Sequence, residues 1–197
     1  MRLVLFTDIH GSESALASVL EKARAADAIV FAGDINTVEG SVEKLLRGLS
    51  RAGKPCIVVH GNHDSLEEIK AVCGKYPPLL FLHQGVYEHE GVTFVGHGGG
   101  GFARKDEAFE RFWEKFLRGE LKKAEKVVFV THAPPYGTKV DSLYGEFRGN
   151  ESYRRFIEEQ HPVLHVCGHF HENFGKEDFI GPTRVINPGP RGVLTEI

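Results

Sequence analysis

At 197 residues, with 41% hydrophobic and 26% charged side chains, the chain is long enough to bury its own core and reads as one domain over residues 1–197. A formal net charge of −3 argues against a surface built to neutralise nucleic-acid phosphates. Cys56, Cys73 and Cys167 are an odd set with no CxxC pair, which argues against a disulfide framework or a thiolate zinc site. With no apolar run near the roughly 18 residues of a spanning helix, and an N-terminus that reads as a strand rather than a leader, the expectation is a cytoplasmic protein.

RLVLFTD (2–8) is an apolar run ending in a carboxylate, and residues 12–26 follow with Leu16, Val19, Leu20 and Ala23 at helical spacing. AIVFAGD (28–34) is a second such run, so the order is βαβ, with parallel neighbours and a right-handed crossover. Residues 38–50 repeat the helical pattern, and PCIVVHGN (55–62) supplies a third strand. LLFL (79–82) and VYEHEGVTFVGHGG (86–99) then read as short strands, the latter a hairpin around Glu90 and Gly91. A helix is predicted over 103–118, and its stripe of Phe109, Phe112, Trp113, Phe116 and Leu117 reads as core packing rather than a ligand box. KVVFVTH (126–132), VLHVCGH (163–169) and RVINPG (184–189) are further strands. Residues 134–150, rich in Gly, Pro and aromatics, form a loop of a length that tends to be functional.

The conspicuous polar residues follow strand ends. They are Asp8 and His10, Asp34, the group Asn62, His63 and Asp64, His132, and the pair His169 and His171. Loops at the carboxyl ends of strands gather on one edge of an α/β sheet, where ligands bind. A lone Asp or His there is usually a turn former or a structural residue, but recurrence at five strand ends points to a metal centre. Imidazole, carboxylate and amide oxygen without thiolate suit Mn, Fe, Zn or Co. Seven donors exceed the needs of one ion, and two ions sharing a carboxylate would use them, because a carboxylate has two oxygens to offer.

TDIHG (7–11), AGDI (32–35), GNHD (61–64), THAPP (131–135) and GHFH (168–171) together resemble the calcineurin-like metallophosphoesterases, in particular their small single-domain members. Each motif alone is weak; the ordered set, spanning most of the chain, is specific. The resemblance implies an α/β fold, a four-layer α/β/β/α sandwich of two mixed sheets flanked by helices, with a dinuclear centre in a cleft. Carried over by residue, one ion falls to Asp8, His10, Asp34 and His171, the other to Asp34, Asn62, His132 and His169, with Asp34 as bridge. His63 becomes the catalytic acid or electrostatic clamp. The implied cofactors are two divalent ions, manganese first, with Fe, Zn, Co or Ni as alternatives.

The implied activity is a metal-dependent phosphoesterase, first of all a phosphodiesterase that hydrolyses small phosphate esters through a metal-bridging hydroxide. A nuclease, a phosphomonoesterase and a non-hydrolytic metal-binding scaffold are the alternatives. One position departs from the related protein Ser/Thr phosphatases: the carboxylate expected three residues after the bridging Asp is Thr37. Asp64 is then a candidate partner for His63, as are a water and a backbone carbonyl; otherwise Asp64 braces its turn or caps a helix entering at Ser65. Arg148, in the segment 136–150, is a candidate phosphate clamp, and His97 in GHGGGG a candidate for reaching the cleft.

Overall fold

Strand β1 (Arg2–Phe6) divides its side chains between two cores. Val4 and Phe6 join a cluster that also holds Val19, Leu46 and Ile69 from helices, while Leu3 and Leu5 join one made wholly of residues from strands and their flanking turns. That period of two is how a strand buried on both faces supports two layers at once. The computed structural model describes residues 1–35, 42–117, 119, 121 and 124–197, so Thr37 lies outside the described residues.

The first sheet sets β1 beside β2 (Ala28–Phe31), β3 (Cys56–Val58) and β4 (Leu79–Phe81), all parallel, with β13 (Val193–Glu196) antiparallel on the other edge of β1. Helices α1 (Glu13–Ala23), α2 (Val42–Ser50) and α3 (Leu66–Lys75) cover its outer face. Ser12 and Ser65 start α1 and α3, each hydroxyl accepting a first-turn backbone N–H. The second sheet has β5 (Gly85–His89), β6 (Val92–His97), β7 (Lys126–Thr131), β10 (Leu164–Val166), β11 (Glu177–Ile180) and β12 (Thr183–Ile186), in the order β11-β12-β10-β7-β6-β5. Its central β6, β7, β10 and β12 are parallel; β5 and β11 pair antiparallel at the edges.

On its far face lie α4 (Glu107–Phe112), which continues as a π turn over Trp113–Leu117, and α5 (Glu151–Gln160). Between the sheets Leu3, Leu5, Val30 and Ile57 meet Phe94, Val128, Val130 and Val166, all fully buried. Full burial stabilises each such side chain by about 1.5–3 kcal/mol relative to water. The layers are therefore α/β/β/α.

The helix predicted from residue 103 begins at Glu107, because the Asp106 carboxylate accepts the Phe109 N–H and fixes the N-terminus there. The predicted loop 134–150 contains a hairpin, β8 (Ser142–Leu143) and β9 (Glu146–Phe147). Pattern reading passes over α5, β11 and β13. In α5 (ESYRRFIEEQ) only Tyr153, Phe156 and Ile157 are buried apolar residues, too few to mark a stripe among the charges.

His165 on β10 is fully buried, with its ring against Phe129 at 4.9 Å and its Nε2 2.9 Å from the Thr131 hydroxyl. Burial pushes its pKa down to about 3 from an ordinary 6.5. Protonation therefore favours the unfolded chain: the stabilisation is complete above pH 6.5 and declines as pH falls from there towards 3. In urea titrations at pH 7.5 and 5, the stability advantage of wild type over His165→Gln should shrink by about 2 kcal/mol; a constant difference would show that His165 does not titrate on unfolding.

Candidate metal centre

The loops that leave β1, β2, β3, β7 and β10 are stitched to one another by their backbones. The Asp8 N–H donates to the Gly33 carbonyl at 2.8 Å, His10 N–H to Asp34 at 3.2 Å, and Gly168 N–H to His132 at 2.8 Å. Asp64 binds two loops together: its carboxylate accepts the N–H groups of Asp34 (2.9 Å), Ile35 (3.0 Å) and Gly61 (2.8 Å). That geometry bears out its reading as a brace. Asp8, His10, Asp34 and His169 all hold left-handed backbone, with φ of 50°, 40°, 60° and 71°. Such backbone in residues other than glycine clusters at functional sites, where surrounding contacts over-determine it.

Two glycines make room for this approach. A Cβ on Gly61 would meet Asp34 Oδ1 at 1.8 Å, and one on Gly168 would meet Thr7 Oγ1 at 1.9 Å and Asp8 Oδ2 at 2.3 Å. The glycines of GNHD and GHFH are thus steric requirements of the site, so neither motif is merely a turn.

Asp8, His10 and His171 offer ligand atoms that lie within 4.8 Å of one another, and so do Asp8, Asp34 and His132. In the first group His10 Nε2 and His171 Nε2 stand 3.2 Å apart, and His171 Nε2 is 3.4 Å from Asp8 Oδ1. Asp8 Oδ2 accepts from the Thr7 hydroxyl and the His169 N–H, at 2.7 and 3.0 Å, but its buried Oδ1 makes no hydrogen bond. In the second group His132 Nε2 is 2.9 Å from Asn62 Oδ1 and 3.3 Å from Asp34 Oδ2, while its Nδ1 donates to the Ala32 carbonyl at 2.9 Å. A histidine whose Nδ1–H is fixed on a backbone carbonyl presents Nε2 as a ligand.

His169 completes the ring of donors. Its centroid is 5.2 Å from that of His132, and its Nε2 is buried without a hydrogen-bond partner. Burial, and then the charge of His132, depress its pKa to about 4, so it is a neutral imidazole at pH 7. For Asp34 burial acts upwards, but the hydrogen bond and charge of His132 outweigh it and hold the carboxyl at about 2. His132 is pushed down by burial and, more strongly, up by Asp34, for a net rise. Its Nε2 faces two oxygens, Asn62 Oδ1 and Asp34 Oδ2. A buried carboxylate oxygen and a buried imidazole nitrogen left open, beside an imidazole nitrogen aimed at two oxygens, suit a divalent cation with N/O ligands. The residues fit a metal.

All seven predicted donors are brought together. His63 stands beside them: its ring centroid is 6.2 Å from that of His10, and its backbone N–H donates to Asp34 Oδ1 at 3.0 Å. Arg148 lines an adjoining cleft, where it is paired with Glu146. His97 does not reach the site, because its Nε2 is held by Asp106 at 2.8 Å in the core beside Phe109. Sequence reading missed Phe102, whose ring lies 4.6 Å from that of His169. Its position just beyond the GHGGGG run was the available signal.

The family model described as calcineurin-like phosphoesterase matches residues 1–173. An uncharacterized protein of Methanocaldococcus jannaschii is 32% identical over 97% of this chain and 89% of its own. A Synechococcus protein, whose name reads "Probable cyclic nucleotide phosphodiesterase", is 26% identical over 81% of this chain, which spans 65% of that protein's length. Among solved structures, a Thermus thermophilus protein superimposes with a TM-score of 0.78 at 21% identity, over 95% of this chain and 88% of that one. Among the described residues no helix is long and apolar enough to cross a membrane.

Proposed function

The chain belongs to the calcineurin-like phosphoesterase family and is a metal-dependent hydrolase of phosphate esters, and from that premise we propose that it is a dinuclear phosphodiesterase acting on small diesters. The observation that carries the reading is the convergence of Asp8, His10, Asp34, His132 and His171, with Asn62 and His169 against His132, in which two buried ligand atoms, Asp8 Oδ1 and His169 Nε2, are left open. In this reading Asp8, His10, Asp34 and His171 hold one ion, and Asp34, Asn62, His132 and His169 the other, with manganese as the first choice. Asp34 and His132 share one group of converging ligand atoms with Asp8, which is itself common to both groups, and the place of Asp34 as bridge rests on the family resemblance of AGDI (32–35).

Bound divalent cations would supply charge neutralisation of the phosphate and water acidified to a pKa near about 7. The chain's own residues do the rest. Asp34 and Asp8, both buried, fix the position of the charge, and Asp64 keeps the loops of Asp34 and Asn62 in register. His132 gives up its Nε2 proton when it ligates, so metal affinity should weaken as pH falls. A ring N–H of His63, at the exposed edge of the site, gives its proton to the departing ester oxygen or holds against its charge.

Two things favour a diester over a monoester. The relative from Synechococcus bears a phosphodiesterase name. The arginines of the adjoining cleft are already in ion pairs, Arg104 with Glu151 and Arg148 with Glu146, which suits a monoanionic phosphate better than a dianionic one. Metal-stripped protein should turn over neither bis-p-nitrophenyl phosphate nor p-nitrophenyl phosphate, and added Mn²⁺ should restore hydrolysis with the diester preferred. A monoester preference would make it a phosphatase; no turnover with two ions bound would make it a scaffold.

A further inference from the structure

Beside the metal centre a cleft of about 620 Å³ is walled by Phe102, Arg104, Leu143, Tyr144, Glu146 and Arg148. Phe102 links the two places, since its ring stacks edge-on against His169 while the residue remains 65% exposed. Tyr144 is 92% exposed. Two large aromatic side chains held in water at one cleft gain nothing by burial, so folding alone does not account for them.

Tyr144 is also conformationally costly. It sits at the tip of the β8–β9 hairpin with φ of 51°, followed by Gly145 at 82°. A two-residue turn of this kind normally carries Asn, Asp or Gly at its first position, and a bulky aromatic there is an outlier. The base of the hairpin is firmly built. Buried Asp141 accepts the N–H groups of Gly137 (2.9 Å), Thr138 (3.2 Å) and Gly149 (3.0 Å), and the Asn173 amide donates to the carbonyls of Val140 and Ser142, each at 2.9 Å. A rigid base therefore presents a strained, exposed ring towards the mouth of the cleft.

The charges of the cleft balance. Arg104 lies 4.0 Å over the Tyr136 ring and pairs with Glu151, while Arg148 pairs with Glu146. Exposed aromatic faces between neutralised cations favour an uncharged, flat group over a second phosphate. We propose that this cleft is a subsite for a planar aromatic substituent of the reacting phosphate ester, a nucleobase above all, gripped between Phe102 and Tyr144. The proposal rests on the phosphoesterase reading of the adjoining centre and names its substrate class as nucleotide esters.

The test compares binding of adenosine 5′-monophosphate and ribose 5-phosphate, which share a phosphate and differ by the base, to the Mn²⁺-loaded protein by NMR titration. Wild type should bind the nucleotide at least about tenfold more tightly, the scale of one stacked base. Tyr144→Ala should erase most of that ratio without changing the ribose 5-phosphate affinity, Phe102→Ala should lower the ratio, and Tyr144→Phe should keep it. Tyr144→Asn should lose the ratio while melting at the same or a higher temperature, because Asn tolerates the left-handed turn. Equal affinities in wild type, no nucleotide binding, or a ratio that survives in both alanine variants would overturn the subsite. Turnover of bis-p-nitrophenyl phosphate, measured in parallel, keeps the two readings apart: hydrolysis without base preference removes only the subsite, and base preference without hydrolysis removes only the esterase.

Discussion

His63→Ala is expected to lower kcat for bis-p-nitrophenyl phosphate by about 10² to 10⁴ while leaving the metal content unchanged. The separation follows from where each part of the residue points. Its backbone N–H, which alanine keeps, supports Asp34 Oδ1 at 3.0 Å. Its ring stands exposed beside His10, outside the two compact groups of ligand atoms. Removing the ring therefore takes away a proton donor or a positive clamp and leaves the donor set whole. Metal analysis alongside kcat decides the matter, because a parallel loss of metal would make His63 a ligand. A series of aryl diesters separates the remaining roles. If His63 protonates the leaving oxygen, the loss grows as the leaving group becomes more basic; if it only holds against charge, the loss stays uniform.

The site was legible in the sequence because its residues are confined to strand ends, where apolar runs stop abruptly at Asp, Asn or His. Asp8, Asp34, Asn62, His132 and His169 follow β1, β2, β3, β7 and β10, and the loops that carry them meet at one edge. The layers were legible for the same reason, since strands buried on both faces read as continuous runs of Val, Ile, Leu and Phe. Exposed and marginal elements were not. Edge strands β11 and β13 bury little on one face, and α5 shows three buried apolar side chains among Glu and Arg. Side-chain direction was equally hidden. His97 resembles a site histidine by position, yet it is fixed by Asp106, which also accepts the Phe109 N–H and the Tyr153 hydroxyl, and it belongs to the core. Phe102 shows the converse: its place just beyond the glycine run is a signal, yet it does not reveal that the ring lies against His169.

Asp34→Asn should abolish binding of both ions, by more than about 100-fold in affinity, since even groups that only orient a ligand are worth about 10 to 100-fold. The substitution is nearly isosteric, and the amide oxygen can still accept the His63 N–H, so the loops of β2 and β3 need not move. What disappears is a buried negative charge. Against the downward pull of burial, that charge raises the pKa of His132, 3.3 Å away, and it would serve both ions. Wild type should gain thermal stability with added Mn²⁺ as mass action requires, whereas the variant should melt at one temperature whatever the concentration. The stoichiometry is the sharper reading. Asp8, not Asp34, is the residue common to both groups of converging ligand atoms. If Asp8 rather than Asp34 is the bridge, the variant will keep one ion on Asp8, His10 and His171, and a measured ratio of one ion per chain would move the bridge from β2 to β1.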